Sequence, residues 1–470
     1  MINHKSPDKL SRFFIAIICF VGSLGGLLFG FDTAVISGTF SFIEKYFSLD
    51  EIESGWFASS ALIGAIIGAI VSGGLSDRFG RKPILMIAAS LFFISALGCT
   101  IPDSFIFLII ARIIGGVGVG MASVLSPLYI SEFSPPKIRG KLIALYQLSI
   151  VIGILLAYLS NWLLLRFSKE SISLFYETDK LYKIFVLDVW RGMFGFEMIP
   201  SGLFILLLFF IPESPRWLIK NNKPEKGISI LTKISGSELA EREFKEINNS
   251  INQFKGKLSK LLRPGLRLAL IVGIGLSVFG QLTGVNIIIY YGPTILENAG
   301  FKIDGALQFQ VAIGLINLIF TILALWKIDS WGRRPLLVYG MFSVFISLVI
   351  IALEFTFGSG QGILILIMLC IYMASLALSI NAVIWVLIGE IFPNNIRGSA
   401  MSIVTFTNWG ANFLTAFTFP WFIDKIGMGG SFFTFAGMCL VATIFFNKYV
   451  PETKGKSLEE IENYWSKKVF

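Results

Sequence analysis

Charge is scarce in this sequence. Only 15% of its 470 residues are Asp, Glu, Lys or Arg, where a soluble globular chain carries roughly 25%. Histidine is all but missing, with His4 alone in the polar start of the chain. The four cysteines, Cys19, Cys99, Cys370 and Cys439, each stand alone in an apolar stretch. None has CxxC spacing or a nearby histidine, so nothing points to a zinc site or a disulfide framework. No nucleophile–base set and no cofactor or metal motif is present, and the chain does not read as an enzyme.

What the sequence has in abundance is apolar surface. Hydrophobic residues make up 55%, Phe occurs 45 times, and the mean hydropathy is +0.76. A water-soluble fold could not bury that much, whereas a bilayer requires an apolar outer face. The net charge of +9 fits Lys and Arg gathered in cytoplasmic loops, and nucleic-acid binding is not expected. The polar start to Ser11 runs into an apolar stretch longer than a signal peptide, without a clear cleavage site, so it is read as a retained first membrane helix.

A membrane helix needs about 20 apolar residues. Twelve stretches qualify, at 13–39, 54–76, 83–101, 104–131, 140–165, 190–211, 267–295, 305–328, 335–356, 362–390, 398–423 and 429–449. The longest polar break, 212–266, contains helical patches such as Glu238 to Ile251. The expected fold is therefore an all-α membrane protein with twelve transmembrane helices. It divides into a six-helix half (1–211), a linker with short cytoplasmic helices (212–266), a second six-helix half (267–449) and a C-terminal tail (450–470). Basic residues recur after every second helix: Arg78, Arg81 and Lys82; Lys137, Arg139 and Lys141; Arg333 and Arg334; Arg397. With an even number of spans, both termini and the long loop are expected in the cytoplasm. The 166–191 loop, with Arg166, Lys169, Lys180, Lys183 and Arg191 on the opposite side, departs locally from that rule and reads as a small folded excursion.

The halves repeat each other. Asp77-Arg-Phe-Gly-Arg-Lys-Pro83 matches Asp329-Ser-Trp-Gly-Arg-Arg-Pro335. Glu132-Phe-Ser-Pro-Pro-Lys-Ile-Arg-Gly140 matches Glu390-Ile-Phe-Pro-Asn-Asn-Ile-Arg-Gly398. Pro212-Glu-Ser-Pro-Arg-Trp217 matches Pro451-Glu-Thr-Lys-Gly-Lys456 more loosely. Three motifs in the same order and place indicate a duplicated six-helix unit, the arrangement of the major facilitator fold.

Three ionisable residues fall inside apolar spans. Asp32 lies in the first helix, Arg112 in the fourth and Glu197 in the sixth. A lone charge at membrane depth costs at least ~2.5–3.5 kcal/mol, so Asp32 and Arg112 are the natural partners. Protonating Asp32 would release Arg112, which is a proton switch in physical terms; a static structural pair is the plainer alternative. Uncharged amides and indoles also recur in the spans: Gln147, Gln281, Asn286, Asn317, Asn381, Trp385, Asn408 and Trp409. Amides both donate and accept, as sugar hydroxyls do, and an indole covers an apolar ring face. Each amide alone could equally be interhelical glue. The glycine runs at Gly64–Gly74 and Gly115–Gly120 follow no strand, so close helix packing explains them better than a nucleotide loop.

The chain resembles the sugar porter family of the major facilitator superfamily, and within it the bacterial proton-coupled symporters for xylose, arabinose or galactose. The resemblance rests on Gly25-Gly-Leu-Leu-Phe-Gly-Phe-Asp32, the Asp77–Lys82 loop, Arg112–Gly120, Pro212–Leu218, Gln281-Leu-Thr-Gly-Val-Asn286 with Tyr290-Tyr291, Asn317, Trp385, Glu390–Gly398, Asn408-Trp409 and Pro451–Lys456. It implies a plasma-membrane importer of a monosaccharide driven by protons, functional as a monomer in the bilayer. Asp32, Arg112 and Glu197 would be its coupling residues, and the eight amides and indoles its sugar site. Tyr290 and Tyr291 would be an extracellular gate on a seventh helix bent by Gly284 and Gly292-Pro293. Asp77, Arg78, Arg81, Glu132, Arg139, Glu213, Arg216, Asp329, Arg333, Arg334, Glu390, Arg397 and Glu452 would be a cytoplasmic gate of charges bridging the halves. A passive facilitator and a transporter-like sugar sensor remain as alternatives. Two departures stand out. Gly280 replaces a common Gln, removing an amide and enlarging the pocket. Asn381-Ala382 replaces Gly-Pro, adding an amide and stiffening the tenth helix.

Overall fold

The computed structural model describes residues 9–135, 138–170, 180–251, 266–358, 362–393, 396–456, 460–461 and 464–465. His4, Lys137 and residues 171–179 of the loop before the sixth span lie outside them. The described chain is helical, without strands. Among the described residues, eleven helical stretches are long and apolar enough to cross a bilayer. The last of them turns at Gly427, whose φ of 69° lies in the left-handed region, so it holds two spans and the described residues make twelve.

The membrane helices are α1 Lys9–Phe47, α2 Glu51–Phe79, α3 Arg81–Thr100, α4 Phe105–Phe133 and α5 Arg139–Glu170. The sixth has two parts, α6a Val189–Gly195 and α6b Met198–Phe210, as has the seventh, α7a Leu266–Leu282 and α7b Val285–Asn298. Next come α8 Ile303–Trp331, α9 Arg333–Phe357, α10a Gly362–Leu378 and α10b Ile380–Ile391. Arg397–Tyr449 holds α11 before Gly427 and α12 after it. Large apolar side chains cover the outer surface: Phe210 is 78% exposed and Ile106 70%. A surface of that kind has a low free energy only against lipid.

Contacts group the chain into two units. One comprises Met1–Asp32, Ile63–Ile154 and Phe194–Phe254; the other comprises Thr33–Leu62, Leu155–Met193 and Lys255–Phe470. Helices α1, α2 and α5 therefore contribute to both. The parts of these helices in the second unit pack on α7b, α8 and α11. Ser41 Oγ of α1 donates to Glu297 Oε2 of α7b at 2.7 Å. Trp56 of α2 lies edge-on to Phe417 of α11, with centroids 5.5 Å apart. Lys169 of α5 pairs with Asp304 of α8 at 3.7 Å.

Small residues set the helix crossings in the first unit. A Cβ on Gly30 of α1 would lie 1.9 Å from the Ile150 carbonyl of α5, and one on Gly153 would lie 2.0 Å from the Leu27 carbonyl. The glycine runs of α2 and α4 do the same: a Cβ on Gly64 or Gly120 would strike the opposing backbone at 2.1 Å. These glycines bring helix backbones together, as small residues do in membrane bundles.

Two expectations are corrected. Arg191 is a buried residue of α6a and not a loop charge. Its Nε bonds Asp188 Oδ2 at 2.9 Å and its guanidinium covers the Trp190 ring at 4.3 Å. The tenth helix is not stiffened by losing proline, because it breaks at Ser379 (φ −107°, ψ −104°). There Ser379 Oγ donates back to the Ser375 carbonyl at 2.6 Å, and Gly340 of α9 lets that helix approach Ser379 closely. Such back-bonding bends helices without proline.

Gly30→Val should force α1 and α5 apart at a cost of ~1–3 kcal/mol, read as a lower Tm in detergent. A wild-type Tm would contradict the close crossing.

Candidate functional site

The first unit buries an ion pair. Arg112 Nη1 of α4 donates to Asp32 Oδ1 of α1 at 2.8 Å and lies 3.4 Å from the Asp32 carbonyl. Both residues are at most 2% exposed. Gly115, one turn on from Arg112, lets Ser95 of α3 approach closely, since a Cβ there would lie 2.4 Å from Ser95 Oγ and 3.3 Å from Asp32 Oδ1. The guanidinium also faces the Phe194 ring at 5.5 Å. Glu197 sits at the break between α6a and α6b, buried and within electrostatic reach of both partners. Its Oε1 has no hydrogen-bond partner among the described residues. Two carboxyls and one guanidinium thus share a site closed to water. Such a site carries a net negative charge unless it holds one proton, and a low dielectric penalises that charge strongly.

The second unit carries an amide chain. Asn286 Nδ2 of α7b donates to Gln281 Oε1 of α7a at 2.6 Å, and Gln281 Nε2 donates to Asn408 Oδ1 of α11 at 2.9 Å. The break of α7 at Gly284, with φ 82°, brings Gln281 and Asn286 face to face. Trp409 is buried beside Asn408. On α10b, Asn381 is half-buried one turn before Trp385, which remains 38% exposed and so has a free indole face. Asn317 of α8 is buried and accepts a long 3.5 Å contact from Thr321 Oγ1. Gln147 is half-buried on the α5 segment of the first unit. Gly280 is bordered by Ile380 and Ile384 of α10b, which lie 3.4 Å from where its Cβ would be, an ordinary van der Waals contact.

Tyr290 and Tyr291 of α7b are both buried. Tyr291 Oη donates to the Ala416 carbonyl of α11 at 3.0 Å, and its ring meets Phe40 of α1 edge-on at 4.7 Å. Asn412 Nδ2 reaches Tyr290 Oη at 3.5 Å. Buried polar residues such as Asn412, Asn161, Tyr158 and Gln310 were not singled out from sequence. Only their position in an apolar span could have flagged them.

The charged loops close on themselves twice, once per repeat. Arg81 holds Glu132 through Nε and Nη2, both at 3.2 Å, and Asp77 through Nη1 at 3.1 Å. Arg333 holds Glu390 at 3.0 Å and Asp329 at 2.9 Å. The backbone N–H groups of Arg81 and Lys82, at the start of α3, donate to Glu213. Those of Arg333 and Arg334, at the start of α9, donate to Glu452 at 3.1 and 3.0 Å. Each carboxylate thus caps a helix N-terminus, where unpaired N–H groups and the helix dipole favour an anion. Gly80 and Gly332 permit this with φ of 107° and 89°, and a Cβ at either would collide with the capping carboxylate.

The described pairs each lie within one unit, and so differ from the bridging arrangement expected of them. Arg139 and Arg397 bond the carbonyls of Ser134 and Phe392. Arg78 lies over the Phe79 ring. Arg216 shares with Arg139, Glu132, Glu243 and Glu246 a cavity of about 230 Å³ beside the linker helices. Those helices, Pro215–Lys220, Pro224–Ser235 and Ser237–Ile251, are held by a small core of Ile219, Leu231, Ala240 and Ile247.

The family model of the sugar (and other) transporters matches residues 18–465. The arabinose-proton symporter of Bacillus subtilis (strain 168) is 42% identical over 455 residues, covering 97% of this chain and 96% of the symporter. The D-xylose-proton symporter of Escherichia coli (strain K12) is 40% identical over 484 residues, covering 96% of each. The partially occluded inward open conformation of the xylose transporter XylE from E. coli superposes with a TM-score of 0.82 at 38% identity, covering 95% of this chain and 100% of that one. This chain is a membrane transporter of the major facilitator fold. It belongs to the sugar transporter family.

The two capping carboxylates respond differently to their surroundings. Burial pushes the Glu213 carboxyl above its usual range, outweighing the N–H groups of Ser214, Arg81 and Lys82. Burial opposes ionisation at Glu452 too, but the N–H groups of Lys454, Arg333, Arg334 and Thr453 hold it below that range. A depressed carboxyl stabilises the fold above its unfolded pKa, near 4.5, and that contribution is lost as pH falls through the folded value. A raised one does the opposite: its stabilisation is lost as pH rises from the unfolded value through the folded one. Glu452→Gln should therefore lower Tm at pH 7, with the deficit shrinking toward pH 4. Glu213→Gln should show the reverse tilt. Parallel Tm–pH curves for the two variants would contradict the assignment.

Proposed function

We propose that this chain imports a monosaccharide, a pentose or a hexose, by proton symport through alternating access. The observation that carries the reading is the buried Asp32–Arg112 pair with Glu197 beside it. A carrier that only equilibrates sugar gains nothing from three ionisable groups in a closed apolar site, which are costly to place there. A proton-driven carrier needs them. When Asp32 is ionised it holds Arg112 and ties α1 to α4. When Asp32 takes a proton the attraction collapses, and Arg112 can turn toward Glu197. The relatives named as arabinose-proton and D-xylose-proton symporters support the same coupling and the same substrate class.

The sugar is held by Gln147, Gln281, Asn286, Asn317, Asn381, Trp385, Asn408 and Trp409. Amides exchange hydrogen bonds with hydroxyls in either direction, and the exposed face of Trp385 covers the apolar face of the ring. Gln281 bonds both Asn286 and Asn408, so a sugar hydroxyl would exchange with an amide partner in this chain. Tyr290 and Tyr291 form the outer gate. The charged loops around Arg81 and Arg333 form the cytoplasmic gate, each network fixing the helix ends of its own half. Both termini and the 212–266 loop lie in the cytoplasm, in accord with the basic loops. The halves are 1–211 and 267–449, with the tail from 450 onward, and the monomer works alone in the bilayer.

Two outcomes test the reading. Asp32→Asn imitates the protonated acid, so sugar exchange across a vesicle membrane should persist while accumulation against a gradient disappears. An Asn variant that still concentrates sugar with the proton-motive force would remove Asp32 from the coupling role. Gln281→Ala and Trp385→Ala should each weaken sugar binding by ~1–3 kcal/mol, measured by calorimetry against arabinose, xylose and galactose. Wild-type affinity in both would displace the site.

A further inference from the structure

Helix α7b contains Pro293 four residues after Ile289. A proline has no N–H to give, so the Ile289 carbonyl loses its helical partner. Two side chains from other helices meet the backbone there. Tyr158 Oη of α5 points at the Ile289 carbonyl at 3.4 Å, a long contact. Gln310 Nε2 of α8 donates to the neighbouring Ile288 carbonyl at 3.0 Å. The Tyr158 hydroxyl also lies within reach of the Gln310 amide, and both side chains are at most 2% exposed.

Each side chain occupies a slot made by a glycine. A Cβ at Gly292 would lie 2.2 Å from Gln310 Oε1, and a Cβ at Gly314 would lie 2.7 Å from Tyr158 Cδ2. The amide therefore packs directly against the Gly292 backbone of α7b, and the phenol ring against the Gly314 backbone of α8. Gln310 Oε1 has no hydrogen-bond partner among the described residues. A buried amide is expected to satisfy both ends. One that satisfies only its donor end suits a residue with a second arrangement to adopt.

We propose that Tyr158 and Gln310 form a clasp on the proline bend of α7b, holding it against α5 and α8 while the outer gate is closed. The clasp opens before α7b can swing away. Both are positioning residues, acting through the Ile288 and Ile289 carbonyls without touching sugar. The proposal rests on the transporter reading above, but its test does not require transport.

The test places spin labels at Asn298 and Arg166, the outer ends of α7b and α5, in full-length protein whose four cysteines are replaced. Double electron–electron resonance then reads the closed and open populations with no sugar present. Tyr158→Phe removes only the hydroxyl, and Gln310→Leu keeps the approximate shape without the amide. Each should raise the open-to-closed ratio between about twofold and tenfold, the factor for one net hydrogen bond. The double variant should exceed the stronger single by less than the product of the two. Vesicle counterflow on the same variants should show faster outer opening with Kd for sugar unchanged in the closed-gate limit. Distance distributions equal to wild type in both singles would overturn the clasp, as would a lower Tm with unchanged distances, which marks packing alone. If wild type moves no sugar while the distances shift as stated, the clasp stands and the substrate reading falls.

Discussion

A charge inside a bilayer must be matched or removed, and that constraint organises this protein. Asp32 and Arg112 meet at 2.8 Å with both side chains closed to water. Each is there at a free-energy cost that the other helps to offset. Their meeting fixes where α1 and α4 approach, and Gly115 on α4 leaves room for Ser95 of α3, with the carboxylate close by. Because the pair is strong only while Asp32 is ionised, a single proton alters how tightly two helices are held. Glu197, at the break of α6, supplies the second acidic group that Arg112 can face. The bend, the glycine and the cluster belong to one device.

Around that device the repeated loops act as end-fittings. In each half an arginine grips an acidic residue at the end of the fourth or tenth helix. In each half a carboxylate from beyond the sixth or twelfth span caps the helix that follows the loop. Exposed ion pairs contribute little singly, but the bidentate Arg81–Glu132 contact, the single Arg333–Glu390 bond and the capped helix start in each half together fix the ends of several helices in one geometry. A rigid half is what a proton switch needs if a local change is to move a whole bundle. At the other end, α7b is less regular. It begins at a left-handed glycine, carries an internal proline, and is tied to its neighbours by side chains to carbonyls.

The spans were legible because twenty apolar residues have few other uses, and the repeat was legible because Asp77–Pro83 and Asp329–Pro335 nearly spell each other. The internal charges announced themselves by their cost. Less was legible wherever the outcome depends on which neighbour arrives. The repeats identify Arg81 and Arg333 as equivalents, but they do not say that each would pair within its own unit. Gly280 gives no sign in sequence that its neighbours are the apolar Ile380 and Ile384. The tenth helix lost its proline and broke nonetheless, because a serine hydroxyl bonding back to its own helix does similar work. Arg191 looks like a loop cation, and only the fold shows it buried under Trp190. Gln310 and Tyr158 carry no motif, since a polar residue in an apolar span is informative only once its partner is known.

Charge movement is the most direct test of proton coupling through the buried pair. Liposomes holding the purified protein, adsorbed on a capacitive solid-supported membrane, report charge entering with substrate. A jump in arabinose or xylose concentration without any ion gradient should give a current carrying positive charge in the direction of the sugar. That current should vanish in Asp32→Asn while the variant still binds sugar. Sugar uptake by wild type with no accompanying charge would contradict the account and make the protein a facilitator.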